Sequence, residues 1–82
     1  MILRLFAAAR VAAGTGHDTF DLPAGTTLAG LLAAARERFG DEFATVLASS
    51  RVWVNGDEPA AGASTALAPT DEIAVLPPVS GG

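Results

Sequence analysis

The sequence predicts an α+β domain: a mixed sheet with its first and last strands central and parallel, and one main helix packed across it. Two patterns and one limit predict this. Strongly apolar strand patterns stand at the two ends of the chain, Ile2-Leu3-Arg4-Leu5-Phe6 and Glu72-Ile73-Ala74-Val75-Leu76. Apolar runs of this kind suit parallel strands in the middle of a sheet. Between them a single long helical stripe begins at Leu28. The limit is size. A chain of 82 residues makes one small domain, which buries only roughly 60–65% of the surface its unfolded chain exposes. Of its 41 apolar residues 18 are alanine, so 23 larger side chains must build the core, enough for one sheet under one helix.

In Ile2 to Phe6 the period of two places Leu3 and Leu5 on one face and Ile2, Arg4 and Phe6 on the other. Both faces are largely apolar, which argues for a central strand or for an outer face that a partner covers. Ala7 to Ala13 has high helix propensity and stops at Gly14-Thr15-Gly16. His17 to Leu22 reads as a second strand with Phe20 and Leu22 inward and Asp21 outward, broken by Pro23-Ala24-Gly25. Thr26 or Thr27 then offers an N-cap hydroxyl, and Leu28, Leu31, Leu32, Ala35 and Phe39 form the buried stripe of the main helix. Gly40 is placed to end it, and Asp41 to cap a second short helix with Phe43, Val46 and Leu47 inward. Arg51-Val52-Trp53-Val54 is a strand leading into Asn55-Gly56, a hairpin signal because both turn positions tolerate positive φ. The return is expected near Asp57 to Pro59. Ala60 to Thr70 reads as irregular surface anchored by Leu67, and Glu72 to Leu76 as the last strand. With the end strands side by side, this order is the β-grasp, or ubiquitin-like, architecture. Residues 1–76 form the domain, and residues 77–82 an extended tail.

Composition excludes several functions. There is no cysteine, hence no disulfide, thiolate metal site or thiol nucleophile. The net charge is −4, and the basic residues are the five arginines Arg4, Arg10, Arg36, Arg38 and Arg51, too few to neutralise a phosphate backbone. The expected partner is a protein with a basic docking surface, not nucleic acid. No apolar run is long enough to span a membrane, and the start lacks the pattern of a signal peptide, so a cytoplasmic location is expected. His17 has no second histidine or nucleophile to work with, so no metal site is expected. Ser49, Ser50, Ser64 and Ser80 show no triad spacing and read as loop residues. Trp53 reads as core or half-buried packing, Asn55-Gly56 as turn chemistry, and Asp57-Glu58 and Asp71-Glu72 as solvated turns.

That leaves the end of the chain. Pro77-Pro78 removes two ladder donors and fixes φ near −65°, so the last strand leaves the sheet in a semi-rigid extended segment. Extended, Pro77 to Gly82 reaches roughly 20 Å at about 3.3–3.6 Å per residue. Gly81-Gly82, with no β-carbon, can pass a narrow channel. The carboxylate of Gly82 is inert until activated. ATP can convert it to an acyl-adenylate, which a sulfur donor can attack to leave a thiocarboxylate.

Phe6-Ala7-Ala8-Ala9-Arg10, the helix from Leu28, Val54-Asn55-Gly56, and Asp71 through Gly82 with its double proline resemble the small, sulfur-carrier subunit of molybdopterin synthase across the whole chain. The resemblance implies a β-grasp fold and a Gly82 activated by an ATP-dependent adenylyltransferase related to ubiquitin-activating enzymes, then loaded from a sulfur donor. Pro77, Pro78, Val79, Ser80, Gly81 and Gly82 would insert into the large synthase subunit, where sulfur passes to a cyclic pyranopterin precursor to build the dithiolene. It further implies no stably bound cofactor, no catalytic side chains of the chain's own, and an apolar docking patch beside the tail, to which Phe6 and Leu76 are assigned. Two other uses of the tail stay open. One is sulfur delivery to cysteine, thiamine or thio-metabolite synthesis, the other isopeptide modification of proteins through Gly82. An interaction module with an idle tail is a third possibility.

Overall fold

The structure is a computed structural model, described here over residues 1–78. A four-stranded sheet is formed by β1 (Ile2–Leu5), β2 (His17–Thr19), β3 (Arg51–Val54) and β4 (Glu72–Leu76) in the order β2-β1-β4-β3. The end strands pair in parallel at its centre, with Leu3 beside Ile73 and Leu5 beside Val75. β2 and β3 flank them antiparallel. This is the expected ubiquitin-like architecture. Leu3, Leu5, Ile73 and Val75 are fully buried on the inner face, and Ile2, Arg4, Glu72, Ala74 and Leu76 alternate onto the outer one.

Three helices complete the inner layer: α1 (Ala7–Ala13), α2 (Leu28–Phe39) and α3 (Asp41–Ala48). α1 ends where Gly14 takes φ 77°, the left-handed cap expected of a glycine there. The hydroxyl of Thr27 accepts from the Gly30 N–H at 3.2 Å, so Thr27 is the N-cap of α2, and Gly40 ends it at φ 93°. Leu28, Leu31 and Ala35 of α2 join Phe43 and Leu47 of α3 and Ala9 of α1 in one core with the sheet. Arg38 fastens the last turn of α2 to β2. It donates to the Thr19 carbonyl at 2.9 Å, pairs with Asp18 at 3.1 Å and lies 3.8 Å over the Phe20 ring.

Some local expectations are corrected. β1 stops at Leu5. Phe6 is still extended and its N–H reaches the Val75 carbonyl, but it also caps α1, and Ala7 turns the chain at φ 50°. A non-glycine residue in that region costs about 1–2 kcal/mol. β2 ends at Thr19 instead of Leu22, because its last bond to β1 is Phe20 N–H to the Met1 carbonyl and the chain then turns toward Pro23. Phe20 is nonetheless buried and Leu22 partly so. Asp41 does not cap α3. Gly40 holds the cap position, and Asp41 and Glu42 occupy the first turn, where their charge complements the helix dipole.

The Asn55-Gly56 turn forms with φ 51° and 83°, yet the return is a single rung between Val54 and Asp57, not a strand to Pro59. β3 instead spends its ladder on β4. Within the irregular stretch a 3-10 turn spans Gly62–Ser64, and Leu67 is buried as expected. Its N–H and carbonyl bond Thr26 and Gly25, which ties the stretch to the start of α2.

Leu31 has no exposed surface, and Val11 on α1 is 79% exposed. Leu31→Ala is expected to cost about 2–5 kcal/mol in urea unfolding. Val11→Ala should change the same measurement by no more than about 0.5 kcal/mol.

Candidate functional site

The tail residues that the sequence singles out divide at the limit of the described structure. Pro77 and Pro78 are exposed and follow directly on β4. Val79, Ser80, Gly81 and Gly82 lie outside the described residues. What the structure positions is therefore the root of the tail. That root is Leu76, in a strand held by ladders on both sides, to β1 and to β3. Because β1 and β4 are parallel, the end of β1 lies at the same end of the sheet. Continuing their register by one residue sets Phe6 beside Leu76, and both line one shallow depression of about 470 Å³ on the outer face. Phe6 is 43% exposed and Leu76 half-buried. Ala74, a small side chain between Arg4 on β1 and Trp53 on β3, makes part of the floor. Arg4 is paired with Glu72 across the same face.

Trp53 is half-buried on this outer face and is absent from the core. It stands opposite Ala74, so the large side chain takes the surface that the small one leaves. His17 is exposed at the sheet edge beside Arg4. Among the described residues no three His, Asp or Glu side chains converge as metal ligands would. Nor is any helix among them long and apolar enough to cross a membrane.

Two residues carry roles at this site that the sequence reading lacked. Asn55 does more than turn the chain. Its amide donates to Asp71 Oδ1 at 2.9 Å, its side-chain oxygen accepts from the Glu72 N–H at 2.9 Å, and its own N–H reaches the Glu72 carbonyl at 2.7 Å. The start of β4 is thereby clamped to the turn after β3. Arg51 is the second. It pairs with Leu76 across the β3–β4 ladder, on the outer face and at the tail root. The alternation of β3 already sets Arg51 and Trp53 on one face, but only the register shows that their neighbours are Leu76 and Ala74.

The chain matches the family model described as the ThiS family over residues 3–82. It belongs to the ThiS family. Solved structures agree on the fold. A protein of Pyrococcus furiosus described as molybdopterin converting factor, subunit 1, superposes with a TM-score of 0.84 at 24% identity, over 95% of each chain. SAMP1 of Haloferax volcanii is 28% identical with a TM-score of 0.82, over 99% of this chain and 97% of that one. The small archaeal modifier protein 1 of Methanosarcina acetivorans is 30% identical with a TM-score of 0.79, over 99% and 94%. No curated protein matches the sequence. The ThiS match includes both the described tail root and the final Gly81-Gly82.

The Asn55 clamp has a consequence for acid stability. The Ala68 N–H, at 2.7 Å from Oδ2, and then the Asn55 amide hold the Asp71 carboxyl below its ordinary pKa, since both donors favour the charged form. A carboxyl whose folded pKa is depressed adds stability above the unfolded value of about 3.9 and loses it as pH falls through the folded one. An NMR titration of the Asp71 side-chain carbon should give a midpoint below the usual aspartate range. Asn55→Ala, which removes one of the two donors, should move that midpoint upward, and an unchanged midpoint would contradict the assignment.

Proposed function

We propose that this chain is the sulfur-carrier subunit of molybdopterin synthase and that its reacting group is the C-terminal carboxylate of Gly82. One observation carries the reading. The central strand β4, fixed on both sides, runs straight into Pro77-Pro78, so the segment ending in Gly81-Gly82 is borne on a rigid root. Membership of the ThiS family and the fold shared with a converting-factor subunit support it.

In this reading the Gly82 carboxylate attacks the α-phosphorus of ATP on an adenylyltransferase related to ubiquitin-activating enzymes, and pyrophosphate leaves. Hydrosulfide supplied by the donor then attacks the acyl carbon, AMP leaves, and a thiocarboxylate remains. A thiocarboxylate sulfur is ionised and nucleophilic at neutral pH. Once the tail is inserted in the large subunit, that sulfur attacks a carbon of the cyclic pyranopterin precursor and displaces an oxygen group. Water then cleaves the resulting thioester at its acyl carbon, returning the Gly82 carboxylate and leaving the sulfur on the pterin, and two such transfers complete the dithiolene. The chain contributes no catalytic side chain of its own. Its part is positioning, which raises the effective concentration of the sulfur at the acceptor carbon. Phe6 and Leu76 form the apolar docking strip. ATP is consumed by the activating partner, a step that suits a cytoplasmic location.

A second reading has a specific observation behind it: two of the similar structures are named as small archaeal modifiers, at 28% and 30% identity. A modifier shares the adenylation step and differs in the nucleophile, an amine in place of sulfur. Sulfur delivery to cysteine, thiamine or thio-metabolite synthesis is the variant nearest to the first reading, and it too shares the activation step.

Incubated with the adenylyltransferase, ATP and a sulfur source, the full chain is expected to gain the mass change of one oxygen replaced by sulfur. The gain should map to Gly82 in the fragmented C-terminal peptide. Deleting Gly81-Gly82 should abolish it. Loading that persists in the deletion would sink the proposal, and a ladder of conjugates without thiocarboxylate would favour the modifier.

A further inference from the structure

The strip across the tail root is not wholly apolar. From β1 to β3 it reads Phe6, Leu76, Arg51, since Arg51 is the direct cross-strand neighbour of Leu76 on the outer face. Arg51 lines the neighbouring depression with Trp53 and Glu58, so a partner that seats Phe6 and Leu76 and reaches across to β3 also meets a guanidinium. Carrying a charge into an interface unpaired costs more than the surrounding apolar contacts return.

Within the chain Arg51 is weakly engaged. Its pair is Glu58, a single Nη1 contact of 3.5 Å between side chains 48% and 73% exposed. Such a surface pair contributes little and is easily exchanged. Among the described residues the Arg51 side chain makes no hydrogen bond beyond this contact, which leaves most of its five N–H donors for a carboxylate to take in bidentate fashion. Two other arginines are held by acidic partners, and Arg36 stands exposed on α2. Arg4 is paired with Glu72, Arg38 is bound to Asp18 and Thr19, and Arg10 lies along Gly16.

Resting on the carrier reading, we infer that the tail root docks on a protein surface whose apolar socket is bordered by a carboxylate, and that this carboxylate pairs with Arg51 and selects the partner. The inference reverses locally the partner chemistry that the net charge of −4 suggests. Asp71, Glu72 and Asp57 lie toward the opposite end of β4, at the turn after β3. Exposed charges further apart than about 8 Å are largely screened at physiological salt, so the contact at the root is decided by Arg51 and its neighbours.

The test uses the full chain and the purified ATP-dependent activating protein of the same organism, followed by ATP–pyrophosphate exchange at graded carrier concentrations. Arg51→Leu enlarges the apolar strip and deletes the charge. It is expected to raise the half-saturating concentration about threefold, and Arg51→Glu about tenfold or more, with the maximal rate retained. Half-saturation of the wild-type chain should rise with salt, and that of Arg51→Leu should rise less. Arg36→Glu, the same charge change on an exposed face of α2, should stay within about twofold. Urea midpoints of all variants verify that the fold is kept. Reversing the bordering carboxylate on the activating protein should restore Arg51→Glu.

Equal or tighter half-saturation for Arg51→Leu overturns the inference, because the strip then acts by apolar contact alone. An equal loss for Arg36→Glu also overturns it, in favour of net charge. Absence of exchange with the wild-type chain overturns the carrier reading and this inference with it. Exchange that is abolished by deleting Gly81-Gly82 but unaffected by Arg51→Glu overturns the inference and leaves the carrier reading intact.

Discussion

The parallel pairing of β1 with β4 is the constraint on which the rest of the structure depends. Four residues of each strand meet in register, and on the inner face they bring Leu3, Ile73, Leu5 and Val75 into the fully buried centre of the core. Everything between them in sequence must return across the sheet. The intervening chain supplies β2 and β3 at the two edges and three helices on the inner face, and short bonds such as Leu67 N–H to the Thr26 carbonyl hold its irregular stretch. The direction of the pair matters as much as its burial. Were the strands antiparallel, the end of β1 would sit at Glu72. Because they are parallel, Phe6 arrives at Leu76, and the outer face acquires an apolar strip where the tail begins.

Much of this was legible in the sequence wherever the signal is local. Period-two alternation gave the correct inner faces of β1 and β4, since a one-residue slip would turn Leu3 and Leu5 outward. Cap chemistry placed the ends of α1 and α2 at Gly14, at Thr26 or Thr27 (the structure uses Thr27), and at Gly40, because a left-handed φ or a free hydroxyl is a property of one residue. The two misjudged strand lengths depend on neighbours distant in sequence. β2 is shorter than its pattern because β1 gives it no bond beyond Met1. The strand expected after Asn55-Gly56 is missing because β3 takes β4 as its partner.

The same reasoning applies to the site. Phe6 and Leu76 could be assigned together from alternation and the parallel pair, whereas Arg51 could not, since nothing local reveals that it faces Leu76. Asn55 was legible as a turn residue, and its second task, holding Asp71 and Glu72, is visible only in three dimensions. For Gly82 the sequence and the family remain the whole argument.

Carrier and modifier readings ask the same thing of this chain until the acyl-adenylate meets its nucleophile. The composition bears on that step, because there is no lysine, and an activated Gly82 finds no side-chain amine on a second copy. The Met1 ammonium is engaged by the Phe20 and Pro69 carbonyls at 3.0 and 2.8 Å. The choice between sulfur and an amine therefore rests with the partner. That division of labour sets a geometric demand at the root. If the tip lies roughly 20 Å from Leu76, an angular play of about 10° there displaces it by about 3.5 Å, while catalytic geometry is spoiled by about 1 Å. Two ladders fix Leu76 within its own sheet but leave the sheet free against the partner. In these readings contacts beside the root, on Phe6, Leu76 and Arg51, would fix its position on the partner, while contacts farther out on the sheet, with a longer lever arm, would limit the angle.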